Sequence, residues 1–318
     1  MEKGQASPYK DWFYRLEFPV ERPEDPQAYP GYECFGYERL MPKLATDREE
    51  TAEYFCGVCR YWLEEFRIDG WRLGVASEVN DDFWRRFYRT AKSVNPEAVL
   101  IGEVWESAGH WLDGKLFDST MNYDFRKHCR RFFASGSIDA AAFDGRVTHM
   151  RMRYRRQSVY AQLNLLDSHD VSRFLSLCGG DREAYELAVL FLMTFPGMPC
   201  LFYGDELGAE GVREDAYRQA MPWGKADPLL AFYRTAIRLR KEIKALRRGT
   251  FRTVSAQEGS RLYVYERSLP GERVLVALNR EETPAALLPE WLEGRVLWQH
   301  KLRKDELGGK GFAVVKAY

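Results

Sequence analysis

The spacing of apolar positions changes character several times along this chain. Residues 49–66 carry an amphipathic helical pattern (EYFCGVCRYWLEEF) that runs into a short apolar stretch at 70–75. A helix follows at 81–93, with Phe83, Trp84, Phe87 and Tyr88 on one side, then buried strands at 99–104 and 117–121. Helical patterns at 125–134 and 138–154 lead to a strand at 161–166. A helix at 181–194 precedes a last strand at 198–203, after the breaker Pro-Gly-Met-Pro. Strands alternating with helices predict βαβ units and a parallel sheet. Beyond a closing helix at 228–246 the period shortens. Runs at 262–267, 273–279, 295–297 and 312–315, joined by Gly, Pro and Glu turns, predict a small antiparallel β domain. The expected division is residues 1–246 and 247–318.

Composition narrows the classes. Hydrophobic residues at 45% and charged residues at 30% describe a globular chain of 318 residues. Lys+Arg and Asp+Glu are equal at 47 each, so no basic surface is available for nucleic acid. Arg151, Arg153, Arg155 and Arg156 read as a solvated helix face or loop edge. The most apolar stretch, ELAVLFLMTFPGMPCLFY, is broken by Gly and Pro, and no membrane partner is expected. The start, MEKGQASPYKDW, has no apolar core of signal-peptide length. Six cysteines fall in no disulfide framework, and Cys56 and Cys59 lie within a helical run without a second pair. Reduced thiols and a cytoplasmic location are the simplest reading. His110, His128, His149 and His300 are scattered and read as surface or core residues. No metal and no cofactor are expected, and the oligomeric state is open.

Chemistry gathers at the predicted strand ends, where parallel α/β barrels place their sites. The first carries Arg72, Gly74 and Glu78, the next Glu103 in IGEVWE, a later one His169 and Asp170 in LLDSHD, and the last Asp205 and Glu206, which also read as helix caps. Trp71, Trp105 and Trp111 lie near the first two. Carboxylates beside aromatic faces suit sugars, whose C–H faces stack while their hydroxyls hydrogen-bond. Glycoside cleavage with retention needs one carboxyl to protonate the leaving oxygen and a second, about 5–5.5 Å away, to attack the anomeric carbon. A buried strand end beside tryptophan suits Glu103 to the acid role, since desolvation raises a carboxyl pKa.

DGWRLGVASEV (69–79), IGEVW (101–105) and LLDSHD (165–170) resemble three sequence regions of the α-amylase family of glycoside hydrolases. MPKLAT (41–46) resembles a mark of its neopullulanase, cyclomaltodextrinase and maltogenic amylase group. FPGMPCLFYGDELG (195–208) is similar to the family's eighth strand, and DAYRQAMPW (215–223) to the segment after it. The resemblance implies a partial TIM-type (β/α)8 barrel, about β4 to β8, followed by a small antiparallel β-sandwich. It implies hydrolysis of α-1,4-glucosidic bonds in maltodextrin, cyclodextrin or pullulan, with an α-glucan oligosaccharide as partner. Residue by residue, it makes Glu103 the general acid/base, Asp170 the transition-state stabiliser and His169 a substrate-binding neighbour. Arg72 becomes the arginine that holds the nucleophile, and Trp105 and Glu78 further substrate contacts.

Two departures follow. The family's nucleophile position is Gly74 here, with Ser77 and Ala45 where Asn is usual. Nothing resembling the family's earlier strands precedes residue 1, so an N-terminally truncated barrel with open strand edges and an exposed apolar helix layer is expected. Cleavage by this chain is then expected to be absent or strongly impaired, with Arg72 left unpaired beside the Gly74 hollow. The alternative is a non-catalytic carbohydrate-binding or interaction remnant. A glycine introduced deliberately to trap substrate is a third origin for position 74.

Overall fold

The computed structural model describes residues 3–21, 23–25, 27, 28 and 30–317. Residues 1 and 318, the outer bounds of the two expected domains, lie outside the described residues. The chain separates into two compact units, Met1–Thr120 and Met121–Tyr318.

In the first unit, helix α1 (Glu49–Glu65) buries Thr51, Ala52, Cys56, Cys59 and Leu63 along one face. Cys56 and Cys59 are therefore packing residues, and burial pushes the Cys59 thiol up to about 12. The other side of α1 leaves Tyr54, Tyr61, Trp62 and Phe66 exposed. Strand β1 (Gly70–Leu73) runs parallel to β2 (Val99–Gly102), pairing Gly70 with Val99 and Leu73 with Gly102. A Cβ on Gly70 would lie 2.0 Å from the Val99 carbonyl oxygen, so only glycine lets the two backbones approach this closely. Between them stands α2 (Asp81–Val94), capped by the Asn80 side chain, which accepts from the Asp82 and Phe83 N–H groups. Its buried Phe87 meets Trp71 edge-on at 6.1 Å. Trp71 thus belongs to the helix-side core, and strand alternation sends Arg72 to the opposite face. The first half of β3 (Ser119–Asn122) continues the parallel pairing from Ile101 and Gly102. Among the described residues, β1 pairs along one edge only.

In the second unit, Met121 and Asn122 of β3 pair with β4 (Leu163–Leu165), which pairs with β5 (Met198–Cys200), all parallel. The helices are α3 (Tyr123–Cys129), which continues as a π turn at Arg130–Ala134, α4 (Ala140–Met152), α5 (Arg156–Ala161), α6 (Phe174–Leu177), α7 (Arg182–Thr194), α8 (Glu214–Tyr217), α9 (Pro228–Glu242) and α10 (Lys244–Arg248). The arginine cluster is only half solvated, which corrects the surface reading. Arg151 lies 4.5 Å over the Phe251 ring and Arg153 pairs with Asp124 at 2.5 Å. His128 is a core histidine whose pKa burial lowers to about 4.

The chain then enters an antiparallel sheet of β6 (Thr250–Ala256), β7 (Leu262–Leu269), β8 (Glu272–Asn279), β9 (Ala285–Ala286), β10 (Gly294–Arg303) and β11 (Glu306–Ala317). Its order is β10-β11-β8-β7-β6, with β9 on β11. The described strands make one sheet, so the layers that enclose it come from other elements. Tyr263, Tyr265, Val276 and Phe312 on one face share a core with Phe191 of α7 and Phe143 of α4. The opposite face packs Leu275, Ala277 and Val315 against Leu287 and Trp291. That shared helix–sheet core makes residues 121–318 one compact unit. Two buried arginines reinforce it: Arg267 donates to Leu246 O and Gly249 O, and Arg240 to Met193 O and Phe195 O. They satisfy carbonyls that the end of α7 and the turn after α10 leave open. No helix among the described residues is long and apolar enough to cross a membrane.

Candidate active site

At the end of β1 the backbone locks onto the residue that follows β2. The Glu103 N–H donates to Leu73 O at 2.8 Å, and the Ala76 N–H donates back to Glu103 O at 3.0 Å. The intervening turn holds Val75 in the left-handed region (φ 47°, ψ 40°), a costly conformation for a β-branched residue. That turn aims the Val75 N–H at Glu103 Oε2, 2.9 Å away. Arg72 Nη2 donates to Glu103 Oε1 at 2.5 Å, and the Glu103 side chain is 5% exposed. The expectation that Arg72 is left unpaired beside Gly74 is therefore corrected. With no carboxylate at position 74, the guanidinium has the Glu103 carboxylate as its partner.

A side chain at Gly74 would press on Arg72. A Cβ there would sit 3.0 Å from Arg72 Nη1 and 3.7 Å from Glu103 Oε2. The near atom is the end of a flexible side chain, so a carboxylate requires only that the guanidinium shift. Glu78 accepts from the Gly36 N–H at 3.0 Å, a bond that gives it a structural job fastening the 35–37 turn. Trp105, 44% exposed, offers a ring face to solvent two residues after Glu103.

The end of β4 in the second unit is built differently. Arg126 clamps it, donating from Nε to Leu166 O at 2.6 Å and from Nη2 to Ser172 O at 2.8 Å. Past that clamp, His169 Nε2 lies 3.0 Å from Asp170 Oδ2. Arg218 donates to Asp170 Oδ1 at 2.8 Å and to the His169 carbonyl at 2.6 Å. Beneath them is a buried ionic group. Arg173 donates to Asp205 Oδ1 at 2.8 Å and to Tyr203 O at 2.7 Å, with its guanidinium 4.1 Å over the Phe202 ring. Asp205 is thus an ion-pair partner and not the helix cap expected of it. Burial pushes the Asp167 carboxyl up to about 6 against the pull of Arg126 and Arg173. Burial and the neighbouring Asp167 also raise Asp205.

Residues 2–225 match the family description of the alpha-amylase catalytic domain. The chain belongs to the alpha-amylase family. It is 43% identical over 315 residues to Neopullulanase 2 of Thermoactinomyces vulgaris, covering 98% of this chain and 53% of that protein. Against a cyclomaltodextrinase of a Bacillus species the figures are 41% over 285 residues, 89% of this chain and 50% of the relative. The chain therefore spans about half the length of the curated relatives it matches. Among solved structures, a cyclomaltodextrinase superposes with a TM-score of 0.87 at 38% identity, covering 100% of this chain and 55% of that one. A cyclic α-maltosyl-(1→6)-maltose hydrolase of Arthrobacter globiformis, in complex with the sugar of its name, gives a TM-score of 0.86 at 32% identity, over 99% of this chain and 70% of that one. Membership of the alpha-amylase family, with its TIM-barrel fold, accounts for the five parallel strands beside a separate antiparallel sheet.

Sequence reasoning passed over Arg126, Asp167, Arg173 and Arg218. A signal existed: three of the four lie within seven residues of LLDSHD or inside DAYRQAMPW. Charged residues so close to a buried strand end need partners.

Proposed function

We propose that this chain engages α-1,4-linked glucose oligomers of the maltodextrin, cyclodextrin or pullulan class, and that its retaining double-displacement cleavage fails at Gly74. Glu103 is the acid/base of that lineage, Asp170 the transition-state stabiliser, and Arg72, His169 and Trp105 its sugar-facing set, while Glu78 fastens the 35–37 turn. Family membership and relatives named for such substrates support the substrate class.

The observation that carries the impairment is the Arg72–Glu103 pair beside Gly74. A retaining enzyme needs a carboxylate to form the glycosyl-enzyme bond, and glycine offers none. The general acid must also present an O–H to the leaving oxygen. Both oxygens of Glu103 instead accept N–H bonds, from Arg72 and Val75. Two requirements of the first chemical step are thus unmet together.

Residues 1–246 are the catalytic-domain lineage in this reading and 247–318 the C-terminal β domain, in keeping with a family match that ends at residue 225. Six free cysteines support a reducing, cytoplasmic setting. The deciding experiment pairs calorimetric titration of maltoheptaose and β-cyclodextrin with an assay of reducing ends. Binding without product is expected. Rapid product formation would overturn the impairment, and absence of binding would overturn the glucan reading.

A further inference from the structure

None of the four arginines between 151 and 156 belongs to the cleavage residues, yet two of them line one cleft. A cavity of about 330 Å³ opens between α4, α5 and β6, with Arg151, Met152, Arg156, Tyr160, Thr250 and Phe251 in its walls. Among the described residues, no carboxylate lines it. We propose that this cavity is an accessory binding site for a sugar phosphate. The site is separate from glycoside cleavage and does not depend on the glucan reading.

Aromatic rings, in place of carboxylates, hold the two guanidiniums. Arg151 lies 4.5 Å over the Phe251 ring and Arg156 lies 5.7 Å over the Tyr160 ring. A cation–π contact fixes a guanidinium through its face and leaves the N–H donors at its rim uncommitted. An ion pair would consume those donors, as at the neighbouring Arg153, which Asp124 engages. Arg151 shows the consequence. Its Nε is buried without a hydrogen-bond partner, and its Nη2 reaches the Phe251 carbonyl only at 3.5 Å. Asp144 attracts it through space, but that carboxylate accepts from the Thr253 and Tyr263 hydroxyls. A half-buried cation without a bonded counter-charge is costly, and an anion in the cleft compensates it.

Charge, volume and ring faces select the ligand. Two guanidiniums match a dianion, and a phosphate monoester carries about −1.5 to −2 at pH 7. A volume of about 330 Å³ lies at the small end of ligand pockets, enough for one monosaccharide unit and not for an oligomer. The rings disfavour a nucleotide. Phe251 carries Arg151 and stacks on Tyr265 at 5.0 Å, and Tyr160 carries Arg156, so guanidiniums occupy the positions a base would use. A pyranose needs hydroxyl partners instead. Tyr160 OH donates to Gly249 O, and Thr250 Oγ1 bonds Ser268 Oγ; each oxygen retains an acceptor position for a sugar hydroxyl. Met152, 78% exposed, adds an apolar edge for the C–H face.

Chain order sets this cleft apart from the cleavage residues. Helix α5 leads into the start of β4, whereas His169 and Asp170 follow its end. In parallel α/β barrels, reactions occur where strands end. A ligand at the other end bridges α4 and α5 to β6 and should raise the melting temperature by mass action.

The test titrates the full chain calorimetrically with glucose 6-phosphate, glucose, inorganic phosphate and AMP. The same titrations are run on Arg151→Met, Arg156→Gln and Arg155→Gln. Glucose 6-phosphate should bind once per chain, about tenfold more weakly in Arg156→Gln. Position 156 is exposed, so this variant keeps its fold even where Arg151→Met does not. Arg155 is exposed too but lies outside the cleft, so Arg155→Gln should bind like the parent. An equal loss in Arg155→Gln would reduce the effect to the charge of the arginine run and overturn the site. Inorganic phosphate or glucose binding as tightly as glucose 6-phosphate removes the sugar phosphate, and tighter binding of AMP replaces it with a nucleotide. Maltoheptaose titration keeps the two readings apart. No glucose 6-phosphate binding with maltoheptaose binding intact sinks this site alone.

Discussion

The two strand ends bearing this chain's carboxylates have been treated differently. After β4, the pair of His169 and Asp170 is accompanied by an inner set of Arg126, Arg173 and Asp205, whose charges are answered by one another or by backbone carbonyls, while the buried Asp167 carboxylate oxygens have no hydrogen-bond partner among the described residues. After β1, a shorter device does the same work: a strained Val75 turn, one arginine and one glutamate. With glycine at position 74 the β1 site still satisfies its charges, because Arg72 pairs with Glu103. The comparison teaches that a site held by a flexible guanidinium can satisfy its charges with a single carboxylate. A site held by buried ion pairs has no such latitude.

The largest effect should come from restoring what the β1 end lacks. Gly74→Asp places a carboxylate beside Arg72 Nη1 and offers the guanidinium an alternative to Glu103. Hydrolysis of maltotriose should rise on the order of 1000-fold, read as reducing ends per minute. An unchanged rate would mean that the absent carboxylate is not what limits this chain. The contrasting change at the β4 end is Arg173→Met, which strands Asp205 in the interior. Removing one member of a buried pair costs about 3–5 kcal/mol, so the urea midpoint should fall sharply. Arg72→Met should cost less, because Arg72 is 37% exposed where Arg173 is 2% exposed and the Val75 N–H still bonds Glu103; equal losses would mean that the two strand ends are held alike.

Asp167 sharpens the contrast through pH. Its pKa lies at about 6 in the fold against 3.8 for the unfolded reference. A raised acid favours folding while it is protonated in both states, so this contribution is complete below pH 3.8. It declines as the unfolded chain ionises first, and it is lost once pH passes about 6. Asp167→Asn should therefore be more stable than the parent above pH 6, on the order of 2 kcal/mol, and indistinguishable below about pH 4. Thermal melts at pH 4 and pH 7 measure both limits.

Much of this could be read from the residues alone. Alternating periods located α1, α2, α7 and all five parallel strands, because buried apolar runs between Gly and Pro leave little choice of structure. The β6 strand, TFRTVSA, escaped notice because only Phe251 is fully buried and its polar positions resemble a loop. The short α5 was hidden by arginines that suggested solvent. At the site, Gly74 was visible as a departure, but its consequence was not. Pairing of Arg72 with Glu103 depends on the register that sets Leu73 beside Gly102, a contact between residues some thirty positions apart. Trp71 misled for a related reason: composition shows an aromatic near a carboxylate, whereas strand alternation decides which face it occupies.

The smallest effect concerns the outer shell of the β4 end. Arg218 holds both the Asp170 carboxylate and the His169 carbonyl, yet it is itself 44% exposed, so solvent screens much of the attraction. Pairs of this kind contribute up to about 1 kcal/mol. Arg218→Gln keeps a donor of shorter reach and should leave the urea midpoint unchanged, since the buried Arg173–Asp205 pair carries that strand end. Affinity for maltoheptaose should weaken by up to about fivefold, as Asp170 loses the partner that fixes its rotamer. Calorimetric titration at low and high salt separates the causes. If Arg218 acts through charge on Asp170, the difference between parent and variant narrows as salt rises. A difference indifferent to salt would assign its effect to the neutral bond with His169 O, and the outer shell would then be held by backbone geometry, as the β1 turn is.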